Sequence, residues 1–227
     1  MLSMAKECYI EEAEEFLRER KLLHDEENLR TLSRKWESYV AKNFDRKSPE
    51  SFYEKWTGEI GASNIAANIL DQFSRNYVFA ALKMIFAQEN TYSGSILDFG
   101  CGTAAVSVTW QRLFAPSSTL ILADVNNLAR EFLQFQQLRY PQYRLRLSSI
   151  TLNEIPDSAV DIVLCIDVLE HLRFPSNTFK TIAKKIKPAG YLIIQAPWLG
   201  HPEHLEEAPI DWENGGGKSL LEEKFLR

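Results

Sequence analysis

The sequence predicts an α/β protein with a doubly wound, mainly parallel sheet and an N-terminal helical extension. Up to about residue 92, apolar residues recur at spacings near 3.6, which is typical of amphipathic helices. From Ser95 onward, short apolar runs alternate with segments of helix length, as they do in βαβ units. Right-handed crossovers between such units give a sheet that binds its ligand at the carboxyl ends of the strands.

The helical extension contains several start and stop signals. Ser3 is a candidate N-cap of the first helix, and the segment Ser48-Pro49-Glu50 is a candidate start of the third. Gly58 and Gly61 are expected to interrupt the helical pattern, because glycine is unfavourable inside a helix. Ser63 then restarts the pattern as a single long helix.

Five strands are predicted near residues 95–99, 119–124, 144–148, 160–166 and 190–196. Helices between them are predicted near 103–114, 126–139 and 176–186. We therefore divide the chain into a helical region or lid (1–92), a sheet domain (93–200) and a C-terminal loop and helix (201–227).

Composition argues against several functional classes. A net charge of −5 speaks against a large nucleic-acid footprint, because phosphate binding needs clustered Lys and Arg. No apolar run approaches the roughly 20 residues of a membrane span, and acidic residues stand where a signal peptide would be apolar. Cys8, Cys101 and Cys165 are too widely spaced for a disulfide framework or a cysteine zinc site. We expect a cytoplasmic protein with small-molecule partners and no membrane span.

The predicted first strand ends in a glycine-rich turn, Asp98-Phe99-Gly100-Cys101-Gly102. Glycine permits positive φ there and lets a ligand approach the backbone. The pattern Gly100-x-Gly102-x-x-Ala105 is also a degenerate dinucleotide fingerprint, which leaves a nucleotide-dependent oxidoreductase as an alternative. The carboxylate of Asp98 would repel a pyrophosphate but attract the ammonium and sulfonium groups of S-adenosylmethionine, and it therefore favours that cofactor.

A second acid, Asp124, ends the predicted second strand. A carboxylate at this place can accept hydrogen bonds from both hydroxyls of a ribose. The alternative is that Asp124 caps a helix beginning at Asn126 or Asn127.

These motifs resemble those of class I (Rossmann-like) S-adenosylmethionine-dependent methyltransferases over about residues 60 to 200. The matching segments are ILDFGCGTA, ILADV, DIVLCIDVLEHL and IKPAGYLIIQAP, and they are similar to those of quinone-biosynthesis O-methyltransferases. The third glycine of the family pattern is Ala104 here, and the acidic residue often found beside the adenine is absent. The family normally adds a C-terminal β-hairpin, for which no segment is long enough, so the sheet is reduced to five strands or the chain is a fragment or module.

The resemblance implies a set of cofactor-binding residues. Asp98, Gly100 and Gly102 would hold the methionine part, and Asp124 with Val125 would hold ribose and adenine. Ser149 and Ile150 would flank the adenine. The remaining residues assigned to the cofactor are Phe99, Cys101, Ile166 and Asp167.

Candidate catalytic residues follow the fourth strand. Glu170 and His171 directly succeed it, and His201 and His204 follow the fifth strand. His171 is the best candidate for a general base, because an imidazole titrates near neutral pH. The Asp-x-x-Glu-His stretch beginning at Asp167 is similar to a metal-binding Glu-x-x-Glu-His stretch of related methyltransferases. Phe174 stands where the second histidine of that stretch would be, so a metal site would also need His201 or His204, and we assign no metal. The alternative to a role as base is a purely structural role for His171.

The expected function is methyl transfer from S-adenosylmethionine to an O, N or C acceptor of a small molecule. A catalytically silent partner or module that binds S-adenosylmethionine is a further alternative. The aromatic residues of the helical region would form walls of the acceptor pocket or simply pack its helices, and these residues are Phe52, Tyr53, Trp56, Phe73 and Tyr77.

Overall fold

The computed structural model describes residues 1–44, 49–86, 92–198, 201 and 203–225. Its helices are α1 (Leu2–Glu19), α2 (Leu29–Asn43), α3 (Pro49–Glu54), α4 (Gly58–Ser74), α5 (Asn76–Phe86), α6 (Ala105–Phe114), α7 (Leu128–Arg139), α8 (Pro175–Lys185), α9 (Glu207–Asn214) and α10 (Gly217–Phe225). Its strands are β1 (Ser95–Phe99), β2 (Thr119–Asp124), β3 (Arg144–Ser149), β4 (Val160–Ile166) and β5 (Ile186–Gln195).

The five strands form one sheet in the order β3-β2-β1-β4-β5, and every neighbouring pair is parallel. The chain passes from β1 to β2 on one side and later enters β4 on the other side, so the order reverses between β1 and β4. This reversal opens a crevice at the carboxyl ends of those strands. The predicted α/β fold class is confirmed, with a sheet that is wholly parallel within the described residues.

Alternate residues of the central strands enter two hydrophobic cores. On one face, Ile96 and Leu120 pack with α1, α4, α6 and α7. On the other face, Leu97 and Ile121 pack with residues of α8 and with Trp212 of α9. The strands are therefore covered on both faces, as a parallel sheet requires.

Two local predictions in the helical region are wrong. α1 begins at Leu2, and Ser3 lies in its first turn, where its hydroxyl contacts Glu7 instead of capping the helix. Gly58 does interrupt the helical pattern, because α3 ends at Glu54 and α4 begins at Gly58 with a positive φ of 56°, but Gly61 lies inside α4 and does not interrupt it. A Cβ at Gly61 would lie 2.5 Å from the carbonyl oxygen of Trp56, so this glycine permits close packing.

The predicted long helix also divides in two at Arg75, whose backbone leaves the helical region with ψ of 62°. The prediction that the third helix starts at Ser48 falls on a residue outside the described part of the chain.

The C-terminal part adds helices rather than strands within the described residues. α9 lies in a stretch that we predicted as loop, and both C-terminal helices pack on α8 through Trp212 and Phe225, which contact Phe179. Ser176 at the start of α8 donates its backbone N–H to the Asp211 carboxylate. β5 also begins four residues earlier than predicted, because Ile186 already pairs with Val160 before the register shifts. No described helix is both long and apolar enough to cross a membrane.

A buried ion pair joins the helical region to the sheet domain. Arg112 of α6 donates to both carboxylate oxygens of Glu12 in α1, at 2.7 and 2.9 Å, and Gln136 of α7 donates to the same carboxylate. We expect Glu12→Ala to lower the free energy of unfolding by about 3 to 5 kcal/mol, because it leaves a buried guanidinium without its partner.

Urea denaturation followed by circular dichroism measures this loss. The control is Glu15→Ala. It removes an exposed ion pair between Glu15 of α1 and Arg139 of α7 and should change the free energy of unfolding little. Equal losses in the two variants would contradict the structural importance of the buried pair.

Candidate active site

The turn after β1 forms the floor of the crevice. Gly100 and Gly102 have positive φ of 67° and 52°, and Ala104 has 53°. A Cβ at Gly100 would lie 2.4 Å from a methyl carbon of Val168, so the backbone there tolerates no side chain. The Gly100 N–H donates to the Ala123 carbonyl at 2.8 Å, which ties the turn to the end of β2.

The backbone N–H groups of this turn are already bonded to protein atoms. Gly102 donates to the carboxylate of Asp124 at 2.5 Å, Thr103 to the side chain of Asn68 at 3.0 Å, and Ala105 to that of Gln72 at 2.7 Å. A pyrophosphate binds such a turn through free N–H groups at the start of the helix. Their occupation speaks against the dinucleotide alternative.

Asp98 lies beside this turn in β1, and the Ser107 hydroxyl donates to its carboxylate. Burial raises the pKa of Asp98 to about 7, the Ser107 hydrogen bond opposes that rise, and the nearby Asp124 carboxylate adds to it. Burial therefore makes the ionised form of Asp98 unfavourable in free energy, and a cationic ligand beside it would stabilise that form.

Asp124 ends β2 and lies at the crevice. Its second carboxylate oxygen accepts from the Val125 N–H at 2.6 Å. Burial raises its pKa, and the hydrogen bonds from Gly102 and Val125 oppose the rise. Asp124 does not cap α7, because Asn127 does so by accepting from the Arg130 N–H.

Above the turn lies a cavity of about 870 Å³. The predicted site residues that line it are Phe99, Gly100, Gly102, Asp124, Val125, Ile150, Asp167, Glu170, His171, His201 and His204. Asp98, Cys101 and Ile166 line a small adjoining cavity of about 30 Å³ instead. Ser149 lines neither of these two cavities, and its hydroxyl contacts that of Thr151.

The helical region supplies one wall of the large cavity. Tyr53 and Trp56 line it together with Trp36 of α2, and the Tyr53 ring lies edge-on to the ring of His171, with 5.8 Å between centroids. Phe73, by contrast, packs against Tyr9 in the core. Of the aromatic residues predicted to form walls or pack helices, Tyr53 and Trp56 thus line the cavity, and Phe73 packs in the core.

His171 lies in a short 3-10 helix, Leu169–His171, that follows β4. Its Nδ1 lies 3.2 Å from the carbonyl oxygen of Glu203, an interaction in which Nδ1 carries the proton and donates it. The Nε2 atom then has a free lone pair, and it lies 3.8 Å from the Glu170 carboxylate. Burial lowers the pKa of His171 to about 4, so the ring is neutral at pH 7.

Two acids beside His171 have raised pKa values. Glu170 is fully buried, and among the described residues neither carboxylate oxygen has a hydrogen-bond partner. Burial raises the pKa of Glu170 to about 8 and that of Glu203 to about 7, with a hydrogen bond from Tyr53 opposing the second rise. Burial therefore disfavours the ionised form of both acids on this side of the cavity.

One group of side chains has the donor chemistry of a divalent metal site. Glu170, His171 and His204 each offer one ligand atom, and these atoms lie within 4.8 Å of one another. Neutral imidazoles and a carboxylate without a partner are suitable ligands. Asp167, the first acid of the stretch, instead pairs with Arg75 at 2.7 Å.

Four residues of the site were not assigned from the sequence. Arg75 lines both cavities and bonds to Asp71 and Asp167, while Asn68 and Gln72 hold the glycine turn. Helical spacing from Asn68 to Gln72 could have placed these two on one face of a helix, but not opposite the turn. Glu203 stands in a polar run that the sequence marks only as loop.

Comparisons with known proteins agree with this geometry. A family model described as a methyltransferase domain matches residues 70–224. The "Ubiquinone biosynthesis O-methyltransferase, mitochondrial" of Schizosaccharomyces pombe is 30% identical over 115 residues, which are 48% of this chain and 40% of that protein. An uncharacterized protein of Methanocaldococcus jannaschii is 28% identical over 153 residues, 65% of this chain and 60% of that protein. The chain thus spans less than two thirds of the length of these curated relatives.

Among solved structures, a "SAM dependent methyltransferase from Aquifex aeolicus" is similar with a TM-score of 0.47 and 15% identity. The similarity covers 77% of this chain and 89% of that one.

The buried Glu170 predicts a pH-dependent stability. Glutamate in the unfolded chain loses its proton near pH 4.5 and in the folded protein near pH 8, so the folded state holds an extra proton between these values. The free energy of unfolding contributed by this group therefore falls as the pH rises through that window. Glutamine does not titrate, so Glu170→Gln should gain stability relative to the wild type as the pH is raised.

The gain from pH 4.5 to 8 should exceed about 1.4 kcal/mol, the value of one pKa unit. Urea denaturation at a series of pH values measures it, and a comparison near pH 4, where both proteins are neutral at this position, is the control. A difference that is constant with pH would contradict the neutral state of Glu170.

Proposed function

This chain belongs to the methyltransferase domain family, whose model matches most of it, and we propose that it transfers a methyl group from S-adenosylmethionine to a small acceptor. The observation that carries the proposal is the pair Asp98 and Asp124 around a glycine turn whose N–H groups are occupied. Bound there, S-adenosylmethionine supplies an electrophilic methyl group on a positively charged sulfur.

The residues around the turn fit the parts of that cofactor. Asp98 at the small cavity would favour the ammonium group, and Arg75 in the same cavity would favour the carboxylate. Asp124 at the tip of β2 would accept from the ribose hydroxyls through the lone pairs that its bonds from the Gly102 and Val125 N–H groups leave open. Val125 and Ile150 line the large cavity where the adenine would lie.

The acceptor side fits a small, uncharged aromatic molecule with a hydroxyl group. Trp36, Tyr53 and Trp56 offer planar apolar walls, and burial raises the pKa values of the acids Glu170 and Glu203. Such a wall stacks well on an aromatic ring. The Schizosaccharomyces pombe relative, named as an O-methyltransferase, supports an oxygen acceptor rather than nitrogen or carbon.

The helical region, residues 1–92, would cover the bound cofactor and exclude water. Alignment of the acceptor with the methyl carbon is then the main task, because the leaving group is already good. Methyl transfer would form a bond between the acceptor oxygen and the methyl carbon and break the carbon–sulfur bond, whose electron pair would stay on sulfur.

The proton of the hydroxyl goes to His171 Nε2, since Nδ1 is held by the Glu203 carbonyl. The lowered pKa of His171 makes it a weak base. A phenolic hydroxyl, which is more acidic than an alcohol, is therefore the better matched acceptor.

A second form of this chemistry uses a divalent ion held by Glu170, His171 and His204. Such an ion would polarise the acceptor hydroxyl and favour its ionised form. His171 cannot at once bind the ion through Nε2 and accept the proton there. Chelation therefore separates the two forms experimentally.

The cofactor assignment is tested by Asp124→Ala. Loss of two charge-assisted hydrogen bonds to the ribose should weaken S-adenosylmethionine binding by about 1 to 3 kcal/mol. Isothermal titration calorimetry measures the affinity, and Asp157→Ala, an exposed acid paired with Lys185, should leave it unchanged. Unchanged affinity in the Asp124 variant would refute the ribose assignment.

The catalytic assignment is tested by His171→Gln. With a panel of phenols and catechols as acceptors, we expect kcat, measured as formation of S-adenosylhomocysteine, to fall about 100-fold or more. The affinity for S-adenosylmethionine should stay nearly unchanged. The exposed His24 provides the control His24→Gln. If chelation abolishes the wild-type activity and added Mn²⁺ or Zn²⁺ restores it, the metal-assisted form replaces the base mechanism.

Cofactor binding without methyl transfer to any acceptor of the panel would support the alternative of a catalytically silent binding partner. Binding of NAD in preference to S-adenosylmethionine would overturn the proposal altogether.

A further inference from the structure

Helix α6 begins without a capping side chain of its own. Its N-cap residue is Ala104, which cannot accept a hydrogen bond through its side chain. The first N–H groups of a helix have no partner within the helix and normally need a side chain, water or ligand to satisfy them. At this helix the need arises inside the crevice, where the cofactor would bind.

Two amide side chains of α4 bond this junction: Gln72 reaches the first N–H of α6, at Ala105, and Asn68 reaches Thr103 in the turn just before the helix. The Asn68 Oδ1 atom accepts from both the N–H of Thr103, at 3.0 Å, and its hydroxyl, at 2.8 Å. The Gln72 Oε1 atom accepts from the Ala105 N–H at 2.7 Å, and its Nε2 atom donates to the Cys101 carbonyl at 2.9 Å. The same Nε2 atom donates to Asn68 Oδ1 at 2.9 Å, so the two amides form one unit.

The amide pair also lies at the cavities. Asn68 lines the large cavity and Gln72 the small one. A Cβ at Gly102 would lie only 2.6 Å from Asn68 Oδ1, so the Asn68 side chain rests directly on the glycine turn. The shape of the turn is therefore set from outside it, by a helix about 35 residues earlier in the chain.

We propose that Asn68 and Gln72 are positioning residues, which hold the glycine turn in the shape that accepts the cofactor. This inference rests on the proposed function. It makes cofactor affinity depend on the docking of α4, although neither amide was assigned to the cofactor itself. The oxygen of Asn68 is the essential atom, because three donors converge on it.

The test uses Asn68→Leu and Asn68→Asp, with S-adenosylhomocysteine as the probe. Leucine has a similar size but no acceptor, and we expect it to raise the Kd about tenfold or more, since buried N–H groups lose their partner. Aspartate retains an oxygen at the Oδ1 position and should keep the Kd within about threefold of the wild type.

Gln111→Ala is the matched control on α6. Gln111 is fully buried and donates to the Ser118 carbonyl at 2.8 Å, toward the other end of the helix. Its loss should lower the melting temperature and leave the Kd unchanged. Hydrogen–deuterium exchange at Thr103 and Ala105 should accelerate in Asn68→Leu and not in Gln111→Ala.

The possible results are distinguishable. If the wild type and Asn68→Leu bind S-adenosylhomocysteine equally well, the positioning role is overturned and the proposed function stands. If Asn68→Asp loses as much affinity as Asn68→Leu, the Oδ1 acceptor is not what positions the turn, and the proposal is also overturned. If the wild type itself does not bind S-adenosylhomocysteine, the proposed function fails and this inference falls with it.

Discussion

Two carboxylates lie where the order of the strands reverses, and much of the surrounding structure compensates for their burial. Asp98 and Asp124 both have raised pKa values because the crevice removes water from them. The backbone N–H groups of Gly102 and Val125 and the hydroxyl of Ser107 stabilise their charges. A ligand with cationic and hydroxyl groups would take over part of this compensation, whereas a phosphate would add a further negative charge.

The helical region is an integral part of the crevice. α1 is joined to α6 and α7 by the buried network of Glu12, Arg112 and Gln136, and α4 holds the glycine turn through Asn68 and Gln72. These contacts fix α1 and α4 relative to the sheet domain.

The side of the cavity around His171, where we propose that the acceptor binds, differs in its electrostatics from the side around the glycine turn. Burial favours the neutral forms of Glu170, Glu203 and His171, and the hydrogen bonds at Glu203 and His171 only partly oppose this effect. A neutral histidine with a fixed tautomer can accept a proton, and a buried acid beside two imidazoles can bind a metal ion. The same arrangement thus supports two forms of hydroxyl activation, which chelation distinguishes.

The sequence alone determined the α/β class, the five strands and the acids around the glycine turn, because alternating apolar runs and turn residues are local signals. Predictions from the sequence were wrong at Gly61, at Ser3 and at Arg75, just after the end of α4, because packing overrides local preference there. Only the tertiary structure decided that side chains of α4 bond the start of α6 and the turn before it, and that the Glu203 carbonyl fixes the tautomer of His171. Those contacts join residues more than 30 positions apart, and no local pattern encodes the docking that brings them within hydrogen-bonding distance.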